Sequence, residues 1–248
     1  MIAQLSDLKN YTGFIRYLKN TSWMMGEHFL RVISGLFVGV LVARYLGPSQ
    51  FGLFSYVLAF TGIFGAIAKL GLDGLLVREL VNYPEKREVY LGTAFWLKVF
   101  GAFLVIVLLL AFLPFTGNEA TTKLFVLIIA AGLVFGSFEV IDFHFQSQVL
   151  AKVPSICKVL QLSLSSALKL YLVFTEADLI WFVLATAFDA VSLAVLYFCA
   201  YQMTKSRSFY AHFDLALAKK LLKSSFPLIF AAIAVSVYMR IDQIMIKE

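Results

Sequence analysis

One stretch of this chain limits what it can fold into. From Trp23 to Leu46 the sequence is almost continuously apolar, it stops at Gly47-Pro48, and a second apolar run opens at Phe51. About 20 such residues, rising ~1.5 Å each, cross a hydrocarbon core of ~30 Å, so this run is long enough to span a bilayer. Two charges lie inside it. Glu27 and Arg31 are spaced i,i+4 and share a helix face with Ser34, so they can pair. A lone charge at mid-helix costs roughly 2.5 to 3.5 kcal/mol on insertion scales, and such a pair should therefore face protein or a wet cavity.

The composition extends that constraint to the whole chain. Of 248 residues 61% are hydrophobic, against about 45 to 50% in soluble domains, and the mean hydropathy is +0.86. The chain reads as an all-α polytopic membrane protein with seven spans, at 23–46, 51–72, 92–114, 124–145, 155–174, 178–200 and 226–246. Backbone groups in lipid must be satisfied within their own segment, and nothing here alternates as barrel strands do. The first apolar run is too long for a signal-peptide core, so it is expected to stay in the mature protein. Residues 1–22 form an amphipathic segment suited to a membrane surface. Cys157 and Cys199 sit in apolar surroundings without ligand spacing and read as packing residues, with no metal site and no cofactor expected.

The connections carry the orientation. If the N-terminus is cytoplasmic, that side receives thirteen Lys and Arg residues and the other side three, which places the N-terminus inside and the C-terminus outside. Loop charges meeting anionic lipid explain the pI near 9.2, so membrane lipids are expected partners and nucleic acid is not.

Further polar residues fall inside the spans. Lys158, Gln161, Ser165 and Lys169 share one face of the fifth span, Glu139, Asp142 and Gln146 make a stripe on the fourth, and Asp189 stands in the middle of the sixth. Lys98, Lys158, Glu139 and Asp142, near predicted ends, are expected to reach the interface. Arg31, Lys169, Asp189 and Arg240 are too deep for that and should line a cavity or pair within protein. His144 reads as interfacial. Gly35 and Gly39 form a small-xxx-small pair suited to close helix packing. No nucleophile with a base, phosphate-cradling glycine loop or metal-ligand spacing is present, which argues against an enzyme.

The run Arg44-Tyr45-Leu46-Gly47-Pro48-Ser49-Gln50-Phe51-Gly52-Leu53-Phe54-Ser55 closely resembles the first loop of the bacterial polysaccharide transporter family, the O-antigen flippases of the Wzx type. Gly71-Leu72-Asp73 with Val77-Arg78-Glu79-Leu80, and Arg240-Ile241-Asp242-Gln243-Ile244-Met245, are similar to later signatures of that family. The resemblance implies membership of the MATE-like multidrug/oligosaccharidyl-lipid/polysaccharide exporter superfamily and two six-helix lobes around a central cavity. It also implies transport of undecaprenyl-diphosphate-linked oligosaccharide, the unit of O-antigen and lipopolysaccharide, with a polysaccharide polymerase of the same pathway as a partner.

On that basis residues 23–200 form the first lobe, 201–225 a basic cytoplasmic loop, and 226–248 the first helix of a second lobe. Leu222-Lys223-Ser224-Ser225-Phe226-Pro227 echoes Leu18-Lys19-Asn20-Thr21-Ser22-Trp23 in support of such a repeat. The expectation is then an N-terminal portion or an interrupted reading frame. Arg31, Lys169, Arg240 and Lys98 are the candidate cationic residues for the lipid diphosphate, with Glu27, Asp189 and Asp242 as charge partners or coupling groups. A multidrug cation exporter and a membrane-bound enzyme of polysaccharide biosynthesis are the competing readings.

Overall fold

The computed structural model describes residues 12–204 and 208–240, and every regular element among them is helical. The elements are α1 (Thr12–Ala68), α2 (Asp73–Asn82), α3 (Arg87–Phe112), α4 (Ala120–Gly132), α5 (Glu139–Ser147), α6 (Lys152–Phe174), α7 (Leu179–Met203) and α8 (Leu215–Tyr238), with short 3-10 turns between several of them. Six helical stretches are long and apolar enough to cross a membrane. The first is bent into two legs at Gly47, where φ is 69° and ψ 174°. Only glycine adopts that conformation freely, and Pro48 then supplies a fixed φ for the first turn of the second leg. The bend accounts for the seven apolar runs of the sequence.

Three departures from the expected boundaries are informative. Residues 12–22 continue into the first span instead of forming a separate surface helix: no proline or glycine at positions 14–25 breaks the ladder, and the Ser22 hydroxyl is satisfied inside the helix by donating to the Leu18 carbonyl (2.9 Å). Residues 215–225, expected within a loop, are the first turns of α8, capped by Asp214, whose Oδ1 accepts from the Ala216 and Leu217 amides. The fourth span is not one helix. It breaks between Gly132 and Glu139, where i→i+3 bonds such as Gly136 N to Leu133 O (3.0 Å) tighten the chain into a 3-10 turn.

The second leg of α1 also stops short, in a turn at Leu70-Gly71 with both residues at positive φ (52° and 60°). Two short helices, α2 and α5, therefore begin inside the bundle, and they pack against each other. Around them lies one apolar core of Leu72, Leu76, Leu91, Ile141, Phe145 and Tyr201. Val57, Val105, Leu109, Val126, Phe182 and Val183 form the core toward the other end. Phe37, Phe100, Phe174 and Phe230 are exposed and suit a lipid-facing surface.

Side chains tie the ends. Trp96 Nε1 donates to the Tyr210 carbonyl (3.0 Å) and the Asp214 amide to Thr93 Oγ1 (3.1 Å) at the end rich in Lys and Arg. At the opposite end Tyr45 donates to the Ala177 carbonyl (3.0 Å) and Asn118 to the Tyr56 hydroxyl (2.9 Å).

Candidate functional site

The two interrupted spans bring four charges together. Asp73 opens α2 and Glu139 opens α5, so each carboxylate sits at a helix N-terminus, where the backbone dipole favours negative charge. Lys98, from the middle of α3, donates to Asp73 (3.0 Å) and Glu139 (3.1 Å) and is only 3% exposed. Its ammonium also lies 4.8 Å from the Phe143 ring centroid. Lys69, last before the α1–α2 turn, reaches Glu139 (3.4 Å) and Asp73 (3.9 Å) with half its side chain exposed. Lys98 is thus the locked member and Lys69 the accessible one.

This cluster forms one wall of a cleft of about 480 Å³ that reaches Gly62, Ser137 and Arg240. Arg240 donates from Nη1 to the Leu58 carbonyl (2.9 Å), and its guanidinium occupies the space a Cβ on Gly62 would fill. Gly71 is pressed by Leu228 and Ile229 of α8, which fixes α8, two residues short of Arg240, against the turn. Among lining residues, three cations (Lys69, Lys98, Arg240) face two carboxylates (Asp73, Glu139), leaving an excess of one positive charge.

The other residues singled out from sequence lie elsewhere. Arg31 and Glu27 form the expected i,i+4 pair, through both Nε (2.9 Å) and Nη2. Lys169 bonds Asp189 (2.7 Å) and Ser165 (2.9 Å) between α6 and α7. A nearby hydroxyl contact, Ser34 to Ser166 (2.8 Å), joins the first leg of α1 to α6. Asp242 lies outside the described residues.

Reach to the interface does not describe Lys98, which is enclosed by carboxylates, nor Asp142, which is buried and bonded by Lys158 (2.7 Å), Gln146 (3.0 Å) and Tyr197 (3.3 Å). Burial of an unpaired charge is prohibitive, and pairing removes the need for either group to reach water. His144 is likewise enclosed, edge-on to Phe145 and Tyr201. Gly35 and Gly39 have no neighbour within Cβ contact distance, so the close packing expected of them is not met by any described residue. Lys69 escaped the sequence reading. Its one local signal is the i,i+4 spacing to Asp73; its other partner is 70 residues away.

A conserved-domain model described as polysaccharide biosynthesis protein matches residues 17–248. The chain belongs to this polysaccharide biosynthesis protein family. Nothing matches it among curated proteins or solved structures. The family covers the O-antigen flippases that the loop signatures resemble, and its membrane-spanning helical architecture fits a polysaccharide transporter better than an enzyme. Within the family framework, Gly71-Leu72-Asp73 contributes the cluster's first carboxylate. Glu79 of the adjoining signature is buried, touched by Arg78 (3.1 Å), Tyr90 (3.3 Å) and Lys220 (3.7 Å), so it joins α2, α3 and α8 at the basic end.

Proposed function

We propose that this protein moves undecaprenyl-diphosphate-linked oligosaccharide, an O-antigen or related surface-polysaccharide unit, across the bacterial inner membrane with its N-terminus in the cytoplasm. The observation that carries the reading is the cleft at the two broken spans, with its surplus of positive charge and its polar wall held by helix N-termini. A diphosphate entering there would accept charge-assisted hydrogen bonds from Arg240 and from Lys69. Lys98 would stay bound to Asp73 and Glu139 and keep the wall in shape.

Interrupted helices suit this task because irregular backbone inside a membrane persists where it lines a cavity, and short segments can rock against longer ones. Arg31 and Lys169 play a secondary part in this proposal: each has an intramolecular carboxylate for which a passing anion would have to compete.

The test is flipping of a fluorescent polyprenyl-diphosphate oligosaccharide in vesicles containing the protein. Losing one charge-assisted bond costs about 1.5 to 3 kcal/mol, so Arg240→Ala and Lys69→Ala should each slow transport roughly tenfold to hundredfold. Lys86→Ala, outside the cleft, should leave it unchanged. Undiminished transport in both cleft variants would refute the cationic-cleft mechanism.

A further inference from the structure

Two clefts lie end to end along the first leg of α1. One, of about 380 Å³, is lined by Ile15, Lys19, Asn20 and Trp23 of α1 and by Leu150 and Lys152 beside the α5–α6 turn. The other, of about 320 Å³, is lined by Lys19, Trp23, Gly26 and Leu30, with Val159 of α6 opposite. Lys19 and Trp23 belong to both, so the two make one groove between α1 and α6. Its α1 wall is a single stripe, Ile15, Lys19, Trp23, Gly26 and Leu30, at spacings of four and three residues.

The groove is cationic at its mouth and apolar along the rest. At the end rich in Lys and Arg it carries two exposed ammonium groups, Lys19 and Lys152, and no described carboxylate pairs with either. Asn20 accepts the Ala151 amide at Oδ1, which leaves its Nδ2 as a further donor. Lys152 stands 5.7 Å from the Trp23 ring centroid, and a Trp beside a cationic mouth suits the headgroup level of a bilayer. Below it, Glu27 is the only carboxylate among the lining residues, and Arg31 binds it. Gly26 has no atom within 4 Å of where a Cβ would stand, so the groove is open half-way down.

Length identifies the occupant. From Lys19 to Leu30 the helix rises about 16 Å, close to half of a ~30 Å hydrocarbon core and so to one leaflet. A water-soluble anion would leave that channel unused, and a zwitterionic lipid would bring a cation of its own to two lysines. We propose that the groove is a binding site for one anionic phospholipid of the surrounding bilayer. Its phosphate lies between Lys19 and Lys152, and an acyl chain follows Trp23, Gly26 and Leu30. The lipid bridges α1 and α6 by giving both ammonium groups a shared counter-ion. The groove shares no lining residue with the cleft of Lys69, Lys98 and Arg240, and the inference does not rest on the transport reading.

The experiment counts lipids bound to the full chain in detergent micelles by native mass spectrometry, with phosphatidylglycerol and phosphatidylcholine of the same acyl chains as probes. A lysine near a lipid headgroup is worth about fivefold in affinity, so the wild-type protein should prefer phosphatidylglycerol roughly twentyfold. Lys19→Gln and Lys152→Gln should each lower that preference about fivefold. Lys86→Gln and Lys219→Gln, outside the groove, should leave it unchanged. Gly26→Leu should weaken both lipids by filling the channel while the preference between them persists. Lys19 makes no described ion pair or ring contact, so its variant keeps the test readable if Lys152→Gln unfolds. Equal wild-type affinity for the two lipids overturns the site, as does an unchanged preference in folded Lys19→Gln. Equal losses in the Lys86 and Lys219 variants would show diffuse attraction to the basic end and overturn it too. Displacement of the lipid by soluble glycerophosphoglycerol at similar concentration, or full lipid affinity in Gly26→Leu, overturns the acyl channel and with it the proposal.

Discussion

The guanidinium of Arg240 lies over Gly62, in the volume that any larger residue at that position would claim with its Cβ. The cation is therefore positioned by the absence of a side chain across from it, together with its bond to the Leu58 carbonyl. Gly62→Val should displace Arg240 and slow lipid-oligosaccharide flipping by roughly the same factor as Arg240→Ala, tenfold or more. Combining the two should add little, because both remove one interaction. Fully additive losses in the vesicle assay would show that Gly62 acts elsewhere.

Lys98 offers a sharper stability test. It is enclosed and satisfies two carboxylates, so Lys98→Met should destabilise the protein by about 3 to 5 kcal/mol, the cost of stranding a partner's charge. The triple variant Lys98→Met, Asp73→Asn, Glu139→Gln should recover much of that loss. Reversible unfolding in mixed micelles gives both values, and a triple variant no better than the single one would place Lys98's contribution in packing.

Two glycines at positive φ separate strain from collision. Gly47 has open space where a Cβ would go, so Gly47→Ala should cost only the conformational penalty, about 1 to 3 kcal/mol. Gly71→Ala adds a clash with Leu228 and Ile229 and should cost clearly more. The same unfolding measurement ranks them, and equal losses would mean that α8 yields easily.

The topology can be checked by labelling single cysteines from each side of the membrane. Positions 85 and 152 should react from one side, and positions 117 and 176 from the other, since hydrogen bonds place the neighbouring connections at opposite ends of the bundle. The Lys and Arg distribution makes the first side cytoplasmic. Labelling of 85 and 117 from the same side would contradict the arrangement.

Local signals were the legible part of this chain. The Gly47-Pro48 break and the Glu27–Arg31 pair depend on residues within a few turns of one another and are found where spacing put them, whereas the apolar runs mark the spans without all their bounds, since the last helix opens at Leu215. The partners of Lys169 and Lys98 were not legible, because Asp189 and Glu139 arrive from other helices, 20 and 41 positions away. The break at residues 133–138 was hidden for another reason. It contains no proline, and an apolar run reads the same whether the backbone closes i→i+4 or i→i+3 bonds. As a result the cleft, which exists because two spans are interrupted, could not be assembled from the pattern of hydrophobicity alone.

The enclosed lysine of α3 also sets a timetable for biogenesis. Asp73 precedes Lys98 in the chain by 25 residues and Glu139 follows it by 41. A nascent chain leaving the ribosome therefore has the first counter-ion at hand when α3 enters the bilayer, and must wait for the second. Since a mid-span lysine costs roughly 2.5 to 3.5 kcal/mol to insert alone, α3 should partition as a unit with the α1–α2 turn, and α5 should close over the pair afterwards. Asp73 would then act as an escort during insertion before it serves as a wall of the finished cleft.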